Sequence, residues 1–397
     1  MKRILTSFCF LLFPQILFAG HVLDGVFPTI LAPLDPPSGI DANGLKQQIE
    51  YVMKNGASGI ILLGSVGEGH YLSEENRGVM IQEADAILKG RGKLIVTVEG
   101  LSTQQAIAQA KAAERLGADF LSLQVPTFYS LNPQDVIEHI KQVVKSIDIP
   151  VLFYYYPDAT RLCLSEDQLV EILLLKGVVG AKITSLDFAM VRRVVRRVRE
   201  KKPEASIFTG TVFNLLWMLR QGGAGVIDPV SLFEPKVASE LYRLYRQAEK
   251  SDMRDAQSLV RKAEDLQEYL LNYLPLFQEH WTDPNSLKFF FRTATGLGFG
   301  LEVGRVSYIS RMKFLLHGRN IPMSDRVSSP LAQLSDEDID IVERLEAYLK
   351  QDPLIQNGSL GFPVPGRLEA YGPQQHLRPT FLQALFRSVK RSRFSLL

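Results

Sequence analysis

Eight short runs of apolar, β-branched and aromatic residues recur along the first 230 positions of the chain. They are GVFPTIL (25–31), GIILL (59–63), LIVTV (94–98), DFLSLQ (119–124), PVLFY (150–154), VVGAK (178–182), SIFTG (206–210) and AGVI (224–227), and their starts lie 18 to 35 residues apart. Most of those intervals are the length of a βα unit, and the stretches between the runs carry apolar residues at helical spacing. In LKQQIEYVMKNGA, for example, Leu45, Ile49, Val52 and Met53 share one face, and Gly56 is placed to cap the C-terminus. Eight strands alternating with helices favour a closed (β/α)8 TIM barrel, an α/β fold; an open doubly wound sheet shares the alternation and is the alternative.

Barrel and helices divide the chain. Residues 24–230 hold the alternating pattern, and 231–352 turn helical as a C-terminal extension of the same domain. In that extension Ser335 is the expected N-cap of a helix opening SDEDIDIVERLEAYLKQ. From 353 to 397 Pro and Gly punctuate a tail, whose closing FLQALFRSVKRSRFSLL is basic and amphipathic. It reads as a packed or frayed tail, with a membrane surface or partner subunit as the alternative contact. The helix VRRVVRRVREKK (191–202) is also basic, but Val191, Val194, Val195 and Val198 give it one apolar stripe, so it is expected to pack outside the barrel with its arginines solvated.

At the N-terminus, Lys2 and Arg3 precede an apolar stretch from Ile4 to Phe18 and then Ala19 and Gly20. Residues 1–20 therefore read as a signal peptide, too short for a spanning helix and interrupted by Pro14. Cleavage predicts an exported protein; retention predicts a cytoplasmic or membrane-anchored one. Of the two cysteines, Cys9 lies in that leader, so a mature chain keeps Cys163 alone and forms no internal disulfide. The 45 basic residues are matched by 43 acidic ones. This balance gives no nucleic-acid footprint and points to a small-molecule partner.

In a barrel of this kind, chemistry collects where strands end and βα loops begin. The residues at those ends are GSVGEGH (64–70), Tyr129, Tyr154, Lys182 and Asp228. A lysine closing an apolar strand is commonly solvated. Held among apolar groups instead, an amine loses solvation of its charged form, which favours the neutral nucleophile that attacks ketones. Tyr154 carries a phenol suited to proton transfer, and GSVGE offers backbone N–H groups and a hydroxyl to an anion. Each feature alone also reads as ordinary structure: a core aromatic, a plain turn, or in His70 a polar loop residue.

Together the motifs resemble the dihydrodipicolinate synthase / N-acetylneuraminate lyase family of class I aldolases, in order and over residues 24–350. The family's carboxylate-binding turn is matched by Gly64, Ser65, Val66, Gly67 and Glu68; its Tyr-x-x-Pro motif by Tyr154 to Pro157; its Gly-x-Lys motif by Gly180 to Lys182, with the family's separation of 28 residues between Tyr154 and Lys182. The resemblance implies that Lys182 forms an imine with pyruvate or another 2-oxo acid. Tyr154 would move the proton to or from an aldehyde partner, and Ser65 would relay it while helping the turn hold the carboxylate. It further implies a Tyr129 reaching a neighbouring subunit in a homodimer or homotetramer, and chemistry without metal or organic cofactor.

Four positions depart from the family pattern. Val66 replaces a hydroxyl residue; Ala159 stands where the synthases keep an arginine, with Arg161 two residues further on as a substitute; GTVF (210–213), with Val212, lacks the acidic residue of sialic acid lyases; and Asp228 replaces a small residue, making it and Arg161 candidates for substrate contact. The alternative function is a catalytically degenerate barrel that binds a 2-oxo acid or serves as an oligomeric scaffold.

Overall fold

The computed structural model describes residues 20–35, 39–128, 131–277 and 308–352, the last range apart from positions 320, 322, 323, 325, 329, 330 and 332. The leader up to Ala19, Tyr129 and the 353–397 tail lie outside the described residues. The described residues hold ten strands: β1 (Gly25–Pro28), the short pair β2 (Leu34–Asp35) and β3 (Gly39–Ile40), then β4 (Gly59–Leu62), β5 (Lys93–Val98), β6 (Phe120–Leu123), β7 (Val151–Tyr155), β8 (Val178–Ile183), β9 (Ser206–Thr209) and β10 (Gly225–Asp228). β2 and β3 pair with each other; the other eight fall within the eight sequence runs or overlap them closely.

Those eight form one parallel sheet in the order β1-β10-β9-β8-β7-β6-β5-β4. The ring closes between its first and last members, where Thr29 bridges Ile61 in parallel and Ile30 N–H donates to the Ile61 carbonyl at 3.0 Å. This closure separates a barrel from an open sheet, since it leaves no unpaired edge.

Period-2 alternation then sorts the strand residues into two cores. Phe27, Ile61, Ile95, Phe120, Leu152, Phe208 and Ile227 pack together inside the ring, with Phe27 and Phe208 edge to face at 5.6 Å between ring centres. Their neighbours on the other face, such as Val26, Ile60, Val96, Leu121, Phe153 and Val226, join the larger core under the helices.

Helices follow the strands as the apolar spacing requires: α1 (Ala42–Lys54), α2 (Glu74–Leu88), α3 (Thr103–Arg115), α4 (Pro133–Val144), the single turn α5 (Pro157–Thr160), α6 (Glu166–Leu173), α7 (Phe188–Lys201) and α8 (Leu215–Arg220). α1 is N-capped by Asp41 and ends before Gly56, which takes φ +92°. α7 buries Val191, Val194, Val195 and Val198 and spends Arg193 and Arg197 on Glu166 and Asp167 of the neighbouring α6, so its basic face is a solvated outer surface. Among the described residues, no helix is long and apolar enough to cross a membrane.

Beyond the last strand come α9 (Pro235–Ala248), α10 (Met253–Leu270), α11 (Tyr308–Gly318) and α12 (Asp336–Leu349), the last N-capped by Ser335 through a capping box with Asp338. Buried charges fasten this region to the barrel. Glu234, 1% exposed just after β10, receives the phenols of Tyr269 and Tyr273 and the guanidinium of Arg319 at 2.9 Å. Arg311 and Asp338, both buried, join α11 to α12 at 2.7 Å.

Candidate active site

β7 and β8 lie side by side, and their register sets Tyr154 directly opposite Lys182. One irregularity decides where Lys182 points. Val179 borders the inner core, so strict alternation would face Ala181 inward as well; instead the pairing slips between Val151 and Leu152, and Ala181 and Ile183 join the outer core. The slip therefore turns Lys182 into the ring rather than under the helices. Gly180, two positions earlier, permits close approach of β9: a Cβ there would lie 1.9 Å from the Ser206 carbonyl oxygen.

Lys182 is 4% exposed. Its amine sits 4.3 Å from the centre of the Tyr154 ring, and no carboxylate among the described residues pairs with it. The same alternation parses the tyrosine triplet. Tyr154 faces inward, 2% exposed; Tyr155 faces outward into the helical core, where its hydroxyl accepts the Leu164 N–H at 3.2 Å. Burial pushes the Tyr155 phenol up to about 12. Tyr156 stacks on Tyr154 at 6.1 Å, and burial, with Tyr308 and Tyr154 nearby, raises its phenol well above the ordinary range. Only Tyr154 of the three looks onto the lysine.

The turn after β4 is held in an unusual backbone. Leu63 before it and Glu68 at its end both take left-handed conformations, with φ 60° and 57°. Non-glycine residues pay for that geometry, and such sites concentrate where function fixes the chain. Gly67 and Gly69 cannot carry side chains, because a Cβ would lie 2.9 Å from the Ile30 carbonyl oxygen or 2.0 Å from that of Leu63. The backbone N–H groups of Ser65, Val66 and Gly67 donate to no acceptor among the described residues, and the Ser65 hydroxyl makes no hydrogen bond there either. Three successive unengaged amides are the donors from which a carboxylate-binding turn is built. Val66 itself is 8% exposed and packs into the outer core, so it offers only backbone.

Residues outside the motifs brace this turn. Arg77 of α2, 5% exposed, donates to the carbonyls of Gly69 at 2.7 Å and Thr97 at 3.1 Å and pairs with buried Glu99 at 3.4 Å. Glu99 in turn meets His70 Nε2 at 2.9 Å, so His70 belongs to the brace. Glu68 is fully buried, its carboxylate held by the Lys313 amine of α11 and the Ser328 N–H. Sequence reasoning singled out none of Arg77, Glu99 or Lys313. Glu68 itself came with the turn, but as a substrate contact, whereas its carboxylate is turned into the protein.

Asp228, expected at the substrate, is fully buried with both oxygens engaged by backbone: Val212 at 3.0 Å, Val230 at 3.2 Å and Ser231 at 3.1 Å. It ties the loop after β9 to the loop after β10, and burial raises its carboxyl above the usual range. Arg161 is exposed, in a left-handed conformation at the end of α5, and Ala159 is exposed beside it. Between them and Tyr156 lies Asp158, a half-buried carboxyl that desolvation pushes up to about 6.

A further set of polar groups lies at or just past the ends of the barrel strands. Thr97 and Ser122 pair across β5 and β6, Gln124 follows β6 next to Tyr154's strand, and Thr184 follows Lys182 by two. Their side-chain oxygens, with that of Thr29, are buried without a hydrogen-bond partner among the described residues. Native interiors satisfy such groups with protein, water or a bound molecule.

The sequence matches the model of the dihydrodipicolinate synthetase family over residues 22–278. The chain belongs to the dihydrodipicolinate synthetase family. Among its relatives, the probable 2-dehydro-3-deoxy-D-pentonate aldolase YjhH of Escherichia coli K12 is 26% identical over 239 residues, 60% of this chain and 78% of that one. A 4-hydroxy-tetrahydrodipicolinate synthase of Protochlamydia amoebophila is 28% identical over 219 residues, covering 55% and 73% of the two chains. Solved structures of this family share the fold. The pyruvate complex of YagE, a prophage protein from E. coli K12, superposes with a TM-score of 0.70 at 21% identity, over 83% of this chain and all of that one. The Thermotoga maritima dihydrodipicolinate synthase gives 0.68 at 20% identity, over 83% and 99%.

Proposed function

We propose that this member of the family is a pyruvate-dependent class I aldolase or synthase, making or cleaving a carbon-carbon bond between a 2-oxo acid and an aldehyde. One observation carries the reading: a buried lysine, unpaired by any described carboxylate, facing a tyrosine ring inside the mouth of the barrel. An amine so placed has no salt-bridge role, and its position beside a phenol suits imine chemistry.

The steps follow from the placement. The Lys182 amine adds to the pyruvate ketone carbon, and loss of water leaves a protonated imine. Removal of a C3 proton converts the imine to an enamine, whose C3 attacks the aldehyde carbon. The aldehyde oxygen takes a proton as the bond forms, for which Tyr154 is the candidate donor, and hydrolysis of the product imine frees the lysine. Cleavage is the reverse. The pyruvate carboxylate is assigned to the Ser65, Val66 and Gly67 amides and the Ser65 hydroxyl, which neutralise charge without a formal cation.

For the second substrate we favour a hydroxylated aldehyde. The synthase arginine is absent at Ala159, while Thr184, two residues past Lys182, and Gln124, just past β6, supply a hydroxyl and an amide at the strand ends, their oxygens buried with no hydrogen-bond partner among the described residues. The name of the E. coli relative YjhH points the same way. Asp228 serves in this reading by fixing two loops at the mouth, and Arg161 by its position at the rim. A homodimer or homotetramer belongs to the same proposal: beside the Tyr129 position, Phe128 is 75% exposed. Light scattering after gel filtration measures it.

The test is a panel of 2-oxo acids, with and without hydroxyls beyond C3, assayed for pyruvate release by a coupled dehydrogenase. Hydroxylated substrates should release pyruvate, and Lys182→Ala should abolish the release. Release undiminished in Lys182→Ala would sink the aldolase reading; preference for a semialdehyde carrying a carboxylate would sink the substrate class.

A further inference from the structure

The turn assigned to the carboxylate is not self-supporting. Its last residue, Glu68, is left-handed and fully buried, and its carboxylate is met by the Lys313 amine from a helix 245 positions later in sequence. Lys313 is likewise fully buried. Its amine also donates to the Arg326 carbonyl, and the Ser328 N–H donates to Glu68, so one short stretch after α11 closes over the pair. α11 reaches the other half of the site as well: Tyr308 at its start acts electrostatically on Tyr156, the residue stacked on Tyr154. A single C-terminal helix thus pairs with the loop following β4 and acts electrostatically on the loop following β7.

A buried ion pair is weak evidence for stability, because desolvation of both charges offsets their attraction; it is better explained where it fixes a geometry. Here the geometry is specific. Glu68 follows the three amides of Ser65, Val66 and Gly67, and its backbone sits in a left-handed region that non-glycine residues adopt uncommonly. Release of the carboxylate would free Glu68 to return to ordinary φ and would let the peptide units before it reorient.

From this we infer that Lys313 is a positioning residue for 2-oxo acid binding: through Glu68 it holds the Ser65–Gly67 amides convergent, so the C-terminal helices complete the carboxylate seat without touching substrate. The inference rests on the aldolase reading above, and its test separates the two.

The experiment uses the full-length chain. Borohydride trapping is followed as a function of pyruvate concentration for the native protein, Lys313→Met, Lys313→Arg and the neutral pair Glu68→Gln/Lys313→Met. Hydrogen exchange of the peptide spanning 63–69 is measured alongside. Lys313→Met should raise the half-saturating pyruvate concentration about tenfold, the effect of one lost charge-assisted hydrogen bond, while the limiting trapping rate stays within about threefold. Exchange at 64–69 should accelerate, and Lys313→Arg should restore part of both. A folded Lys313→Met with unchanged half-saturation, or with a reduced limiting rate alone, overturns the inference. If Lys313→Met does not fold, the neutral pair carries the same criteria, since it removes the charge without stranding its partner. Absence of any adduct on the native protein overturns the aldolase reading and this inference with it; a native adduct with indifferent variants overturns the inference alone.

Discussion

Replacing Tyr154 by Phe removes one oxygen from the proposed proton donor and leaves everything else in place. The ring is 2% exposed and stacks on Tyr156, and its face lies 4.3 Å from the Lys182 amine; all of these contacts belong to the ring and survive the change. Folding stability should therefore move by no more than about 1 kcal/mol, the net worth of one hydroxyl's hydrogen bonding. The loss of a positioned general acid costs roughly 10²- to 10⁴-fold in rate, or about 3–5 kcal/mol of barrier. Steady-state turnover of a 2-oxo acid substrate reads that loss, and thermal unfolding confirms the intact fold. The structure supplies a control within the triplet: Tyr155 faces the helical core with its hydroxyl on Leu164, so Tyr155→Phe should change turnover by less than about fivefold. Turnover of Tyr154→Phe within fivefold of native, with the fold unchanged, would refute the assignment.

Two further outcomes follow from buried charge. His139 is 4% exposed, with Nδ1 on the Thr103 hydroxyl and Nε2 without a partner among the described residues, and desolvation lowers its pKa from 6.5 to about 4. The folded pKa lies below the unfolded one, so stability is full above pH 6.5 and falls as pH drops towards 4, by up to about 3 kcal/mol from this residue. His139→Gln should flatten that part of a urea-denaturation pH profile; an unchanged slope contradicts it. Arg319→Met strands Glu234 among two phenols and should destabilise the chain by roughly 3 kcal/mol, with part of the loss recovered in Arg319→Met/Glu234→Gln. A loss below about 1 kcal/mol would mean that the hub does not fasten the C-terminal helices.

The barrel was legible because each of its strands is a short apolar run at βα spacing, a signal carried locally by residues such as Ile60 to Leu62 and Leu94 to Val98. Lys182 and Tyr154 were legible too, since a polar group ending such a run stands out. What pattern could not show is where side chains turn once the ring closes. The slip at Val151 and Leu152 that faces Lys182 inward has no sequence signature, and Asp228 looked like a ligand contact only until its oxygens were found on the backbone of Val212, Val230 and Ser231. Lys313 was hidden for a different reason. It is one lysine among helical residues, and its partner lies 245 positions away, so nothing near it in sequence announces a buried charge.

The proposed chemistry depends on an imine between Lys182 and pyruvate. Reduction with borohydride in the presence of pyruvate, followed by peptide mass mapping, tests it most directly. One stable pyruvyl adduct is expected, on the peptide carrying Lys182, absent without pyruvate and absent in Lys182→Ala. No adduct on the folded protein, or an adduct that persists in Lys182→Ala, would contradict it.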